Sequence, residues 1–220
     1  MTKLLLAGAT GLVGGEALAL ALLDDRVTQI VAPTRRPLAP HPKLLNPIVE
    51  AGKLPLDAEW WAVDGGLCAI GTTRAKTPSA AAYRAIDFDY ALGLATRIKE
   101  GGATRFALTS SMGANARSRF LYPRIKGELE DAVTRLGFAS LTIVRPGFIG
   151  GDRMERRPLE HMIGSILRAA DPILPPIARI SPARTIASFL VAAAIDGAMG
   201  NHHIGAAEIS RAASDRGLHL

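Results

Sequence analysis

The stretch "LLLAGATGLVGGEALALALL", residues 4–23, decides the fold. Behind Lys3 it reads either as the apolar centre of a secretion signal or as a buried strand, a glycine turn and a helix. A signal wants an unbroken apolar run and a small-residue cleavage site. Here the run holds four glycines and Glu16, and it ends in Asp24-Asp25-Arg26 without such a junction. The second reading follows: strand Leu4–Ala7, a turn, and helix Leu12–Leu23. Gly8, Gly11 and Gly14 have the spacing G-x-x-G-x-x-G straight after the strand and at the start of the helix. The first glycine permits a sharp turn, the second lets backbone approach a pyrophosphate, and the third lets helix and strand pack closely. Free N–H groups at the helix N-terminus then meet the anion.

Outward from this turn, short apolar runs alternate with helical patterns. Strands are expected at Leu4–Ala7, Gln29–Ala32, Asn46–Val49, Leu67–Ile70, Arg105–Thr109, Ser140–Val144 and, weakly, His203–Ala206. Helices are expected near Leu12–Leu23, Ala80–Glu100, Tyr122–Leu136 and Pro182–Ile195. Such alternation implies parallel strands with right-handed crossovers, an α/β fold with a Rossmann-like doubly wound sheet. Prolines at 37, 40, 42, 47 and 55 break any regular helix between 36 and 62. From 150 to 182 the alternation lapses into a basic, proline-containing stretch, where a small C-terminal substrate-covering region fits. One domain over 1–220 is the expectation.

The second strand sharpens the ligand. An NAD site usually ends that strand with Asp or Glu, about 20 residues beyond the glycines, to hold the ribose 2′-hydroxyl. Here "QIVAPTRRPL" offers no carboxylate, and Arg35 and Arg36 stand in its place. Guanidinium groups there pair with a 2′-phosphate, favouring NADP(H) over NAD(H).

Composition bounds the remainder. The 220 residues are 48% hydrophobic, enough for a substantial core. No stretch approaches the roughly 20 apolar residues a bilayer needs, so no membrane partner is expected. Net charge is +6, and basic chains attract nucleic acid, anionic membranes and phosphorylated small molecules alike. The arginines are scattered without aromatic interleaving, and read as solvated surface with local anion sites rather than a nucleic-acid face. The single cysteine, Cys68, excludes an internal disulfide and a multi-cysteine metal site, and points to a reducing cytosol. It sits in "GLCAIG" and reads as an inert core residue. Adjacent His202 and His203 would point to opposite faces of a strand, a poor metal geometry, so no metal is expected. Trp60-Trp61 reads as a packing anchor or a dimer contact, leaving a homodimer open. Arg153, Arg156 and Arg157 either grip an anionic substrate or form a solvated edge.

Chemistry enters with "FALTSSMGA", "LYPRIKGELE" and "VRPGFIGG". Tyr122 and Lys126 are four apart, neighbours on one helical face. A lysine ammonium beside a phenol lowers its pKa from the usual value of about 10, so the tyrosine can exchange a proton near neutral pH. Ser111, at the carboxyl end of the fifth strand, is placed to hold a substrate oxygen, since open α/β sheets bind ligands at that edge.

With "GATGLVG", "TRRPL", "IGTTRAK", "IDFDYALGLA" and "TSSMGA" in chain order, the sequence resembles the short-chain dehydrogenase/reductase superfamily. More closely it is similar to the atypical branch containing the Tat-interacting-protein-like oxidoreductases. The resemblance implies that Gly8, Gly11 and Gly14 bind the pyrophosphate, with Thr10, Leu12 and Val13 adding backbone contacts. It implies that Arg35 and Arg36 hold the 2′-phosphate and that Gly71 and Thr72 pass near a ribose. It further implies that Ser111, Tyr122 and Lys126 are catalytic, with Lys126 also reaching the nicotinamide ribose. Pro146, Gly147 and Phe148 would line the nicotinamide pocket. Two positions depart from the pattern. Many relatives have an asparagine before the fifth strand that completes a proton relay, whereas "AIDFDY" offers Asp87, which either serves that relay or caps and pairs locally. Pro123 follows Tyr122, and a residue before proline avoids the α region, so Tyr122 is expected at the helix entrance rather than within it.

The expected function is an NADP(H)-dependent oxidoreductase acting on a small carbonyl or alcohol. Alternatives are a redox-sensing regulatory protein that binds the dinucleotide with little turnover, or a sugar-nucleotide epimerase- or dehydratase-like enzyme.

Overall fold

The computed structural model describes residues 1–50, 53–72, 77–150 and 180–215. The opening strand, β1 (Thr2–Ala7), runs through the middle of the sheet, and Leu4, Leu5 and Leu6 are all buried because helices cover both faces. The next strands are β2 (Val27–Val31), β3 (Leu44–Leu45), β4 (Gly65–Cys68), β5 (Arg105–Thr109) and β6 (Ser140–Arg145). Beyond them lie β7 (Ile149–Gly150), β8 (Ser181–Pro182) and β9 (Gly200–Gly205). Seven of these form one sheet in the order β3-β2-β1-β4-β5-β6-β9, and every pair is parallel. The order reverses between β1 and β4, which opens a crevice at the carboxyl edge there. Strands β7 and β8 pair separately.

One face carries α1 (Leu12–Leu23) and α5 (Ala183–Asp196). Val13, Ala17 and Ala21 recur at helical spacing and pack with Ile186, Ala187 and Leu190 over Leu4, Leu6 and Leu67. The other face carries α3 (Ala91–Glu100) and α4 (Leu121–Arg135), whose Leu94, Ile98, Leu129 and Val133 close over Leu5, Phe106 and Leu108. A last helix, α6 (Ala206–Asp215), follows the edge strand β9.

Two elements differ from expectation. The strand expected at Asn46–Val49 is instead β3 at Leu44–Leu45, with only an isolated bridge joining Thr34 to Ile48. Pro47 has no N–H to give a ladder, and the Asn46 side chain is spent on backbone bonds. The single helix expected over Ala80–Glu100 is three segments: α2 (Ala80–Arg84), a π turn (Ala85–Tyr90) and α3. Ser79 caps the start by accepting from the Ala82 N–H at 3.0 Å. The π turn rotates the residues after it relative to α2, and such turns recur where a helix serves a site.

Candidate active site

The glycine turn forms as its spacing requires. Gly8 takes φ +93°, and a Cβ there would lie 2.8 Å from the Ala69 carbonyl, so only glycine fits. Gly11 donates its N–H to the Gly8 carbonyl at 2.8 Å and caps α1 with no side-chain hydrogen bond. A Cβ on Gly14 would overlap the Gly8 carbonyl, which holds helix and turn together. No acidic residue occupies the first turn of α1. Thr10 is exposed, Leu12 half-buried and Val13 buried beside it. An uncapped helix N-terminus without a carboxylate fits a dinucleotide's pyrophosphate.

After β2, the chain turns through Thr34, Arg35 and Arg36. Both arginines are exposed, and neither makes an ion pair among the described residues. The corner is tied down by Asn46. Its amide donates to the Ala32 carbonyl at 2.6 Å and to Thr34 Oγ1 at 2.8 Å, and its oxygen accepts from the Leu38 N–H at 2.8 Å. Thr34 Oγ1 in turn donates to the Arg36 carbonyl at 2.6 Å. Burial, and next the Cys68 thiol, push the Tyr90 phenol up, and the Arg35 guanidinium pulls it the other way.

The remaining candidates gather at the carboxyl edge of β4, β5 and β6. The hydroxyls of Thr109, Ser110 and Ser111 are buried at the end of β5 and have no hydrogen-bond partner among the described residues. A buried hydroxyl without a partner costs stability, so this run suits a site that offers its partner from outside. Helix α4 begins at Leu121, so Tyr122 lies within its first turn, not ahead of it. Pro123 is accommodated there because first-turn N–H groups have no helical acceptor. Tyr122 is 44% exposed, whereas Lys126, one turn on, is 4% exposed. The loop before α4 packs directly onto it: the Asn115 N–H donates to the Pro123 carbonyl at 2.9 Å, and Gly127 leaves no room for a Cβ against Asn115 and Ala116. Met112 donates to the Pro146 carbonyl at 2.8 Å, joining the ends of β5 and β6. Gly147 donates to Ser181 Oγ at 3.3 Å, and Phe148 projects outward, 61% exposed.

A buried polar hub beneath Tyr122 went unread in the sequence. Lys126 Nζ pairs with Asp87 Oδ1 at 2.8 Å, and the two side chains are 4% and 0% exposed. Asp87 Oδ1 also accepts from the Tyr83 hydroxyl at 3.2 Å, and Oδ2 accepts from the Thr72 N–H at 2.9 Å. A Cβ on Gly71 would stand 3.8 Å from both Asp87 and Lys126, so the loop after β4 rests on the pair. Burial, then the Asp87 charge, pushes the Tyr83 phenol well up, and its ring centroid is 6.3 Å from that of Tyr122. The i, i+4 spacing of Tyr83 and Asp87 was a visible signal. A second pair, Glu130 with Arg145, ties α4 to the end of β6.

Other singled-out residues fall elsewhere. Cys68 is buried at the end of β4, and Trp61 is buried with its indole N–H on the Pro55 carbonyl at 2.8 Å. Trp60 is half-buried, its ring centroid 4.1 Å from that of Trp61. His202 and His203 are exposed on β9, and no group of metal-ligating side chains occurs among the described residues. No described helix is long and apolar enough to cross a membrane. Arg153, Arg156, Arg157 and most of the 150–182 stretch lie outside the described residues.

Comparison with known proteins places this geometry. No family model matches the chain. Protein FMP52, mitochondrial, of Candida albicans is 37% identical over 171 residues, 73% of this chain and 72% of the relative. The Bordetella bronchiseptica enzyme WbmH, solved in complex with NAD+, superposes with a TM-score of 0.66 at 14% identity, covering 99% of this chain and 82% of its own. A short chain dehydrogenase family protein from Francisella tularensis gives a TM-score of 0.68 at 13% identity, covering 94% and 98%. The cytosolic address expected from a single cysteine does not stand, because the curated relative bears a mitochondrial name. A lone thiol reports only that no disulfide is built, and it does not discriminate between compartments. The chain belongs to the FMP52 proteins and has a Rossmann-like, doubly wound fold, shared with the NAD+-complexed WbmH and with the short chain dehydrogenase family protein.

Proposed function

We propose that this protein is an NADP(H)-dependent oxidoreductase acting on a small carbonyl or alcohol. The observation that carries the reading is the carboxyl edge of β5. There the buried Ser111 hydroxyl, with no partner among the described residues, follows β5, and α4, which carries the half-exposed Tyr122 phenol and the buried Lys126 ammonium, packs against the loop just beyond it. Gly8, Thr10, Gly11, Leu12, Val13 and Gly14 would hold the pyrophosphate on backbone N–H groups, and Arg35 and Arg36 the 2′-phosphate. Gly71 and Thr72 would run beside a ribose, and Pro146, Gly147 and Phe148 would flank the nicotinamide. When bound, that cofactor supplies or takes up the hydride. Ser111 would donate a hydrogen bond to the substrate oxygen and orient it, keeping its own proton. Tyr122 gives a proton to that oxygen on reduction and takes it back on oxidation. Lys126, fixed one turn along α4, stabilises the phenolate that remains.

The test is a fluorescence titration with NADPH and NADH, followed by a panel of carbonyl substrates. Arg35→Ala should weaken NADPH binding about 10- to 100-fold, the worth of a charge-assisted hydrogen bond, while changing NADH binding little. Tyr122→Phe should lower turnover by roughly 10²- to 10⁴-fold with cofactor binding retained. Equal losses for the two cofactors overturn the NADP preference, and unchanged turnover removes Tyr122 from the chemistry.

A further inference from the structure

The Asp87–Lys126 pair does more than fill a buried space. A lysine promotes proton transfer at a neighbouring phenol through its positive charge. Here that charge is met at 2.8 Å by a carboxylate with no exposed surface. A group close by then meets the dipole of an ion pair rather than a lone positive charge, so the carboxylate weakens the pull of the lysine on a neighbouring phenol. Asp87 is also held by three donors. Its two oxygens accept from the Lys126 ammonium, the Tyr83 hydroxyl and the Thr72 N–H. With those positions taken it is arranged as a fixed negative charge rather than as a shuttle for protons. The π turn that carries it is the local distortion that sets it between α2, α4 and the loop after β4. Groups that titrate around the pair are Tyr83 from α2, Tyr122 from α4 and the buried Cys68 from β4, while the Arg84–Glu128 pair bridges α2 to α4 nearby.

We propose that Asp87 is a positioning residue of this site, which fixes the Lys126 ammonium and the Thr72 backbone and offsets the lysine charge, so that Asp87 helps set the pH range of proton transfer at Tyr122. The inference rests on the oxidoreductase reading for its kinetic arm only. Its physical content is electrostatic and is read without substrate.

The chain has only three tyrosines, Tyr83, Tyr90 and Tyr122, which makes the site accessible to NMR with ζ-carbon-labelled tyrosine. The Tyr122 signal is assigned with Tyr122→Phe and followed from pH 6 to 11 in the parent chain and in Asp87→Asn. The asparagine oxygen still accepts from Thr72 or Tyr83 but carries no charge. The lysine is then uncompensated, and the Tyr122 signal should titrate about one pH unit or more lower than in the parent. Tyr83→Phe, which removes a hydrogen bond and no charge, should leave the Tyr122 titration in place. In turnover, the limb of the pH–rate profile should move to lower pH in Asp87→Asn by a similar amount, with the KM for cofactor changed less than kcat. A Tyr122 signal that titrates alike in parent and Asp87→Asn overturns the proposal and leaves the oxidoreductase reading intact. A shifted signal in a protein that reduces nothing upholds the proposal and sinks that reading. Should Asp87→Asn fail to fold, Asp87→Ser carries the same comparison. Failure of both neutral variants to fold assigns the pair a purely structural duty and overturns the proposal.

Discussion

Cys68 sits at the carboxyl end of β4 with no exposed surface, and burial pushes its thiol up to about 11 from an ordinary 9.0. Because the folded value is the higher one, the stability gained by keeping the thiol neutral is fully present below pH 9. It is lost as pH rises through about 11. Two consequences are measurable. The native protein should resist a chromogenic disulfide reagent at pH 8 for as long as it stays folded, and should release one thiol equivalent on adding denaturant. Alkaline unfolding should set in above pH 9. Rapid labelling of the native chain at pH 8 would show that β4 opens on its own. The buried hydroxyls of Thr109, Ser110 and Ser111 work the other way: without partners among the described residues, they are donors that an oxygen arriving from a ligand could meet.

Helix α4 is the element on which the site turns, since its first turn carries Tyr122, its second Lys126, and its later turns bury Leu129 and Val133 in the core. Gly127 lets it sit flush against Asn115 and Ala116. Gly127→Ala should therefore push helix and loop apart, at a stability cost of about 1–3 kcal/mol from overpacking. Turnover should fall further than cofactor affinity, because the pyrophosphate turn lies on α1. Denaturant titration and initial-rate kinetics read the two effects separately, and a variant with parental stability would show that the loop yields freely. This helix was legible in the sequence, as were β1, α1, β5 and β6, because apolar spacing and the glycine turn are local signals. The serine, tyrosine and lysine were legible for the same reason, being tied to strand ends and helix faces. The rest depended on contacts between distant segments. Asp87 meets Lys126, 39 positions further along the chain, only because the π turn re-aims it. The position of β3 hung on how Pro47 and Asn46 share backbone partners. Neither signal lies within one window of sequence.

Across the whole molecule, the sheet joins two apolar layers, one beneath α1 and α5 and the other beneath α3 and α4, with β1, β4 and β5 contributing to both. A dinucleotide lying along the carboxyl edge would touch the α1 turn, the corner after β2 and the ends of β4 to β6 at once. Binding to the folded state alone stabilises by mass action, about 2.7 kcal/mol at a hundredfold excess over Kd. For a chain of this size that corresponds to a Tm rise of roughly 5–10 °C, with NADPH acting more strongly than NADH. Differential scanning fluorimetry with each coenzyme reads it directly, and an unmoved transition with both would remove dinucleotide binding from the reading. The Asn46 knot has a consequence of its own. It anchors the doubly basic bend to the outer strands through bonds that involve nothing in α4 or β5, so the two ends of the crevice are built as separate modules. Natural variation can rewrite the bend without retuning the proton chemistry, and can alter the proton chemistry without disturbing the bend.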